Sequence, residues 1–292
     1  MLIKAYAKIN LGLDILGRRP DGYHDVRMIM QTITLHDLVE IEETKEPGIR
    51  LACDSADLQD DKTNLAYRAA ALLLEKHPGK GISIRLSKKI PMAAGLAGGS
   101  ADAAAVLTGV NEVLHLGYSK EELMSLGVRI GADVPYCILQ KTALAEGIGE
   151  KLTVLPDLPK CAVLIGKPAV SVSTKEAYEA FDSETDPVRP DVDAMVRALH
   201  ANDLQGMIDG MGNVFEAGIV RKHPVVGEIR KLMEENGALK AMMTGSGPTV
   251  FGLFDNEKTL SEAALKLEQS GLARDVAVCE CLSGLELTDT AW

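Results

Sequence analysis

Residues 91–107, PMAAGLAGGSADAAAVL, are the stretch of this chain whose residue types bear most directly on chemistry. Gly95, Gly98 and Gly99 let the backbone approach a ligand closely and turn successive N–H groups into one space, and Ser100 stands where a helix begins. Amides of that kind, at the positive end of a helix, hold phosphate without a lysine. The same glycines also suit a tight turn that packs a helix on a sheet, with Ser100 as its cap. The string is neither GxxxxGK[ST] nor GxGxxG after a strand, and the chain carries no HRD or DFG set, so the Walker, Rossmann and protein-kinase readings fail.

Other candidates are single residues. Lys8 interrupts the apolar run AYAKINLGL, with Asn10 two positions on and therefore on the same strand face. A strand lysine of this kind is either chemical or simply paired with a carboxylate. Asp133, in IGADVPYC before Pro135, suits a turn or cap role as well as a catalytic one. Tyr23 and His24 adjoin in a loop, where a ring and an imidazole suit a nucleobase but are also an ordinary surface pair. Gly245 and Gly247 in TGSGPTV suit either a second ligand-approaching turn or a plain hairpin.

These residues need elements to position them. Residues 2–16 and 29–43 read as two adjoining antiparallel strands joined by the turn-rich GRRPDGYH. Residues 64–76 read as a helix and 81–86 as a strand, after which the glycine-rich run enters a strong helix. Ser119 with KEEL resembles a capped start of a helix that ends near Gly131, and ADVPYCIL reads as a passage into a strand. LPDLP, residues 155–159, is the best linker and divides residues 1–156 from 157–292. Beyond it the pattern predicts a strand at 161–166, a helix from about Thr174, two more helices, a strand-turn-strand AMMTGSGPTVFGLF, a helix and a last strand. The fold class is α+β.

Composition narrows the function. The 46% hydrophobic and 25% charged content is that of a globular chain, and the net charge of −11 disfavours nucleic acid and anionic membrane surfaces as partners. The opening MLIKAYAKINLGLDILG carries a lysine and strand alternation, unlike a signal peptide, and no apolar run is long enough to span a membrane. Cys53, Cys137, Cys161, Cys279 and Cys281 are odd in number and hold no CxxC pair, so neither a disulfide framework nor a zinc site is indicated. The expectation is a soluble, cytoplasmic protein with inert thiols.

In order and spacing, AYAKINLGLDILGRRPDGYHDV, PMAAGLAGGSADAAAVLTGVN, GADVPYC and TGSGPTVF resemble the GHMP kinases over nearly the whole chain. The most specific part is AKINLGL followed by GRRPDGYH, which resembles the branch acting on a cytidine-diphosphate sugar alcohol of the non-mevalonate isoprenoid pathway. The resemblance implies a two-lobe fold with mixed sheets, a left-handed βαβ crossover and a deep inter-lobe cleft. Residues 1–156 would be the ATP-binding and catalytic lobe, and 157–292 an α+β lobe on the substrate side. The implied reaction is ATP-dependent phosphorylation of the 2-hydroxyl of the cytidyl substrate, with Lys8 and Asp133 as the catalytic pair and Mg²⁺ on the phosphates, its protein ligands unassigned.

By the same resemblance, ATP would lie along Pro91, Met92, Ala93, Ala94, Gly95, Leu96, Ala97, Gly98, Gly99, Ser100 and Ala101, with Asn64 and Asn111 near the adenosine. Asn10, Tyr23, His24, Thr174 and Tyr178 would bind the cytidyl substrate, two rings sandwiching its base, and Gly245, Ser246 and Gly247 would line it. Ala94 and Ala97 put methyls where the commoner family loop has flexible or small residues, and Ala101 stands for a second serine, so a stiffer ATP loop is expected. The implied partners are small molecules alone, with the chain a monomer or weak homodimer. The alternatives are a GHMP-type kinase of another small alcohol, such as mevalonate or homoserine, and a non-catalytic nucleotide-binding regulator.

Overall fold

A computed structural model describes residues 1–55, 62–184 and 187–282. The chain forms two compact units, and neither is a single stretch of sequence: unit 1 is Met1–Ala7, His36–Met92 and Ala97–Gln140, and unit 2 is Lys8–Leu35, Ala93–Leu96 and Lys141–Trp292. Two long strands, β1 (Leu2–Arg18) and β2 (His24–Thr44), contribute to both.

Unit 1 also holds β3 (Gly48–Cys53), α1 (Leu65–Leu74), β4 (Gly81–Ser87), α2 (Gly98–Val113), α3 (Lys120–Val128) and α4 (Val134–Leu139). Its strands lie in the order β3-β4-β2-β1. The pair β3–β4 is parallel, with α1 as the crossover, and β2–β4 is antiparallel, so the sheet is mixed. Helix α2 is built from small residues, and Ala103, Ala104, Val106, Leu107 and Val110 are all buried. Gly109 shows why: a Cβ there would meet the Cδ1 atoms of Ile41 at 2.4 Å and Ile3 at 2.5 Å, so the bare backbone is what lets the helix lie on the sheet. Helix α3 opens with the expected capping box, in which the Ser119 hydroxyl accepts from Glu122 N and the Glu122 carboxylate accepts from Ser119 N. Helix α4 corrects the sequence reading of ADVPYCIL as a strand. Pro135 sits in its first turn, where proline costs no hydrogen bond, and a short apolar run reads alike in helix and strand.

Unit 2 holds β5 (Ala143–Gly147), β6 (Lys151–Val154), β7 (Ala162–Lys167), α5 (Thr174–Asp182), α6 (Val192–His200), α7 (Leu204–Gly210), β8 (Gly212–Asn213), α8 (Glu216–Lys222), α9 (Pro224–Glu235), β9 (Lys240–Met243), β10 (Val250–Phe254), α10 (Glu257–Ser270) and β11 (Asp275–Glu280). Four helices, α6 to α9, stand where the sequence pattern predicted two. Strand β5 pairs antiparallel with β2 and β6, β8 joins β1 in parallel, and β11-β7-β10-β9 form a second sheet that is entirely antiparallel. Along β1 the period of two puts Ile9, Leu11 and Leu13 on one face and Lys8, Asn10 and Gly12 on the other. Both faces are covered, so every residue from Ala5 to Leu13 is buried and the polar ones must find partners inside.

Candidate active site

Lys8 is the first of those polar residues. Only 4% exposed, its ammonium donates to Asn10 Oδ1 at 2.7 Å and to the Gly95 carbonyl at 3.0 Å, while its own N–H donates to Leu96 O at 3.2 Å. Asn10, fully buried, donates Nδ2 to Met28 Sδ at 3.4 Å and its backbone N–H to Thr244 Oγ1 at 3.0 Å. Strand β1 thus meets the apex of the glycine-rich loop and the TGSGP turn in unit 2. Asn10, which the resemblance places on the substrate, accepts from the lysine ammonium.

The TGSGP turn supports this junction from below. Gly245 (φ 57°) and Gly247 (φ 85°) take left-handed conformations, and the Gly247–Pro248 peptide is cis. Gly95 (φ 72°) packs so closely that a Cβ on it would lie 2.3 Å from the Thr244 carbonyl oxygen. Buried Asn213 on β8 donates Nδ2 to the Met243 and Gly245 carbonyls at 2.8 and 2.9 Å and accepts from Phe215 N at 3.0 Å. Glu216 accepts from Met243 N at 2.7 Å and is itself held by Arg230. Ser246 is half-buried between the two glycines.

The aromatic group also lies in unit 2. The His24 and Tyr178 rings stack at 4.5 Å and 18°, Phe215 meets Tyr178 edge-on at 5.0 Å, and His24 Nε2 lies 3.3 Å from Asp182 Oδ1. Tyr178 is thereby placed against His24, and Tyr23 is 61% exposed. At this separation no base fits between the two stacked rings. Thr174 is the exposed first residue of α5, whose cap is the Ser173 hydroxyl accepting from Glu176 N at 3.1 Å.

In unit 1, α2 begins at Gly98 after Ala97, which lacks a side-chain capping bond. The leading N–H groups of such a helix have no intrahelical partner. Gly99 is exposed and, among the described residues, a Cβ there would touch only Leu65 Cδ1, at 3.4 Å, so this end suits a phosphate oxygen brought against the backbone. Leu96, Ala94 and Ala101 are buried, Pro91 and Met92 half-buried and Ala93 exposed. Positive φ falls on Ala93 (47°) and Ala97 (58°) and not on Ala94, which corrects the expectation for that residue. Asp133 precedes α4 and makes no capping bond, and the turn before it approaches Ser100: a Cβ on Gly131 would lie 3.7 Å from Ser100 Oγ. Asn64 caps α1 by accepting from Ala66 N at 2.9 Å, beside Leu65. Asn111 sits near the far end of α2, and its amide is engaged by both backbone groups of Tyr118, at 3.0 and 2.9 Å.

Among the described residues no group of three or more His, Cys, Asp or Glu side chains can hold a metal ion. No described helix is long and apolar enough to cross a membrane. All five cysteines are free thiols, with Cys161 and Cys281 Sγ atoms 3.9 Å apart.

Sequence reasoning missed Asn213, Glu216, Phe215 and Thr244, which build the support of the Lys8 junction. Of these only Thr244 lay inside a motif singled out from the sequence, as the first residue of TGSGPTV.

With this geometry in hand, comparison with known proteins is direct. Residues 64–141 match the model of the GHMP kinases N terminal domain and residues 195–273 that of the GHMP kinases C terminal domain. The chain belongs to the GHMP kinases. Within them, it is 49% identical over 279 residues, covering 95% of this chain and 97% of the other, to the 4-diphosphocytidyl-2-C-methyl-D-erythritol kinase of Lachnospira eligens. The crystal structure of a 4-(cytidine 5'-diphospho)-2C-methyl-D-erythritol kinase superposes with a TM-score of 0.83 at 33% identity, covering 97% of this chain and all (100%) of that one. A homoserine kinase from Cytophaga hutchinsonii shares the fold, with a TM-score of 0.75 at 20% identity over 97% of this chain and 95% of its own.

Proposed function

We propose that this chain transfers the γ-phosphoryl group of ATP to the 2-hydroxyl of 4-diphosphocytidyl-2-C-methyl-D-erythritol. The observation that carries the reading is the buried Lys8 ammonium, seated through Asn10 and the Gly95 carbonyl on the apex of the glycine-rich loop. The substrate is carried by the relatives, which are named for this activity and match over nearly the full chain.

ATP supplies the phosphoryl group, and Mg²⁺ on its phosphates screens their charge. The N–H groups of Gly98, Gly99 and Ser100 hold phosphate oxygens, the rest of Pro91–Ala101 shapes the loop around them, and Asn64 faces the adenosine. The amide of Asn111 holds the Tyr118 turn, so we give that residue no nucleotide contact. Asp133 takes the proton of the attacking hydroxyl as its oxygen bonds to phosphorus and the bond to ADP breaks, and Lys8 offsets the charge that gathers on the transferring group. On the cytidyl side the ring of Tyr178 gives up His24 to stack on the base, Tyr23 covers it, and His24 bonds its edge. Thr174 and the Gly245–Ser246–Gly247 turn flank the acceptor. We place the reaction in the cytoplasm, with the chain a monomer or weak homodimer.

The purified chain with ATP, Mg²⁺ and the cytidyl substrate releases ADP, and mevalonate or homoserine in its place does not. Asp133→Asn lowers kcat by about 10³-fold, within the range for losing a general base, with an unchanged circular-dichroism spectrum. Full activity in that variant removes Asp133 from the mechanism. Tyr178→Ala raises the KM of the cytidyl substrate about tenfold, on the scale of one lost base stack. An unchanged KM there would return the acceptor to the base-free alcohols.

A further inference from the structure

Unit 1 contains a buried ionic cluster that the proposed reaction does not use. Lys88, just after β4, donates its ammonium to Asp37 Oδ2 and to Asp102 Oδ2, the latter at 2.5 Å. The three side chains are 7%, 0% and 2% exposed respectively. Asp37 Oδ1 also accepts from the backbone N–H groups of Lys89 and Ile90, at 2.5 and 2.8 Å, and Asp54 Oδ1 accepts from Lys88 N at 3.0 Å. The cluster therefore grips the chain at residues 88–90, immediately before the glycine-rich loop. It also grips Asp102, in the second turn of α2 and just past the loop's end. The ammonium itself lies under that helix start, 3.7 Å from where a Cβ of Gly98 would be.

Two carboxylates and one ammonium, all charged, would leave a net negative charge buried behind the helix end that faces phosphate. Burial is costly for such a charge, and a carboxylate this close to a helix N-terminus offsets part of the positive potential that attracts an anion. Burial, the largest effect, pushes the Asp102 carboxyl up to about 7 against the opposing pull of Lys88. Among the described residues Asp102 Oδ1 has no hydrogen-bond partner, and protonation of the carboxyl removes the charge from it. Among the described residues the other titratable or charged groups around the cluster are Asp54 and Cys53 at the end of β3 and Lys89. Burial raises the Cys53 thiol, so it stays neutral.

We propose that the Asp37–Lys88–Asp102 cluster is the positioning device of the glycine-rich loop: Lys88 ties its two ends together and neutralises the carboxylates behind its phosphate-binding amides. The inference rests on the reading of that loop as the ATP site. None of the three residues needs to touch the nucleotide.

The test is calorimetric binding of Mg²⁺ with a non-hydrolysable ATP analogue, beside steady-state kinetics. Lys88→Met weakens analogue binding and raises the KM of ATP at least tenfold, with the KM of the cytidyl substrate within twofold of wild type. Asp102→Asn keeps the shape and removes the titration. Between pH 6 and 8 the wild type loses analogue affinity relative to this variant, because its cluster gains a negative charge. A folded Lys88→Met protein with unchanged analogue affinity, or with both KM values raised equally, overturns the inference. So does a wild-type to Asp102→Asn ratio that is constant over that range, which decides the matter if Lys88→Met does not fold. Wild-type protein that binds no analogue overturns the ATP reading itself, a result separable from both.

Discussion

The chain has two glycine-rich turns of similar composition, PMAAGLAGGS and TGSGP, and they do different physical work. In the second, residues 241–250 are buried except for half-buried Ser246, the left-handed positions are glycines, and Asn213 fastens the carbonyls of Met243 and Gly245. In the first, Gly99 is exposed, two left-handed positions are alanines, and the helix that follows has no side-chain cap. Burial and hydrogen-bond supply, not glycine count, separate the supporting turn from the one we propose as the binding turn. The supporting turn spends its polar groups inside the protein, whereas the binding turn presents a helix end that asks for an outside acceptor.

The point where the two turns touch should be the most sensitive. Gly95→Ala adds a Cβ that would lie 2.3 Å from the Thr244 carbonyl oxygen at a residue with φ 72°. A left-handed alanine costs about 1 kcal/mol and the clash about 2 more. By the scale for a chain of this size, the melting temperature falls by about 6–10 °C. Activity falls further, because the Gly95 carbonyl also seats Lys8. A melting temperature within 2 °C of wild type, on the scale of less than about 1 kcal/mol, would show that the turns are not in firm contact.

Next is the clamp on the supporting turn. Asn213→Ala strips the donor from two buried carbonyls and the acceptor from Phe215 N, a loss of about 2 kcal/mol by the usual cost of orphaned buried groups. Urea denaturation reads this as a lower midpoint at unchanged slope. If the supporting turn does not depend on its clamp, the midpoint stays put, and the contrast between the turns loses its basis.

What the amino-acid sequence disclosed about these regions follows from the range of the interactions involved. The capping box at Ser119 was legible because both its bonds lie within four residues, and the face shared by Lys8 and Asn10 follows from strand period alone. Chemical roles for Lys8, Asp133 and the glycine-rich run came from a resemblance, since residue type left bland alternatives open for each. The clamp of Asn213 on Met243 spans 30 positions and the pairing of Lys88 with Asp37 spans 51, and no local pattern announces either. The His24–Tyr178 stack is likewise tertiary. Helix α4 was misread because six residues with five apolar members and a proline satisfy both periods, so its neighbours decide.

The smallest effect lies at Ala97, where the binding turn carries a methyl in the left-handed region, with φ 58°. Ala97→Gly removes a conformational cost of about 1–2 kcal/mol and adds about 0.4–1 kcal/mol of extra chain entropy in the unfolded state. The balance is a gain of about 0.5 kcal/mol, a rise of 1–2 °C on the same scale, resolvable by differential scanning calorimetry. A loop held less stiffly should also bind the ATP analogue with a larger entropic cost and a nearly unchanged affinity. A matching substitution in the supporting turn has no equivalent, because its left-handed positions are already glycine. If Ala97→Gly instead lowers the melting temperature, the methyl is packing against its surroundings and the binding turn is a supported one after all.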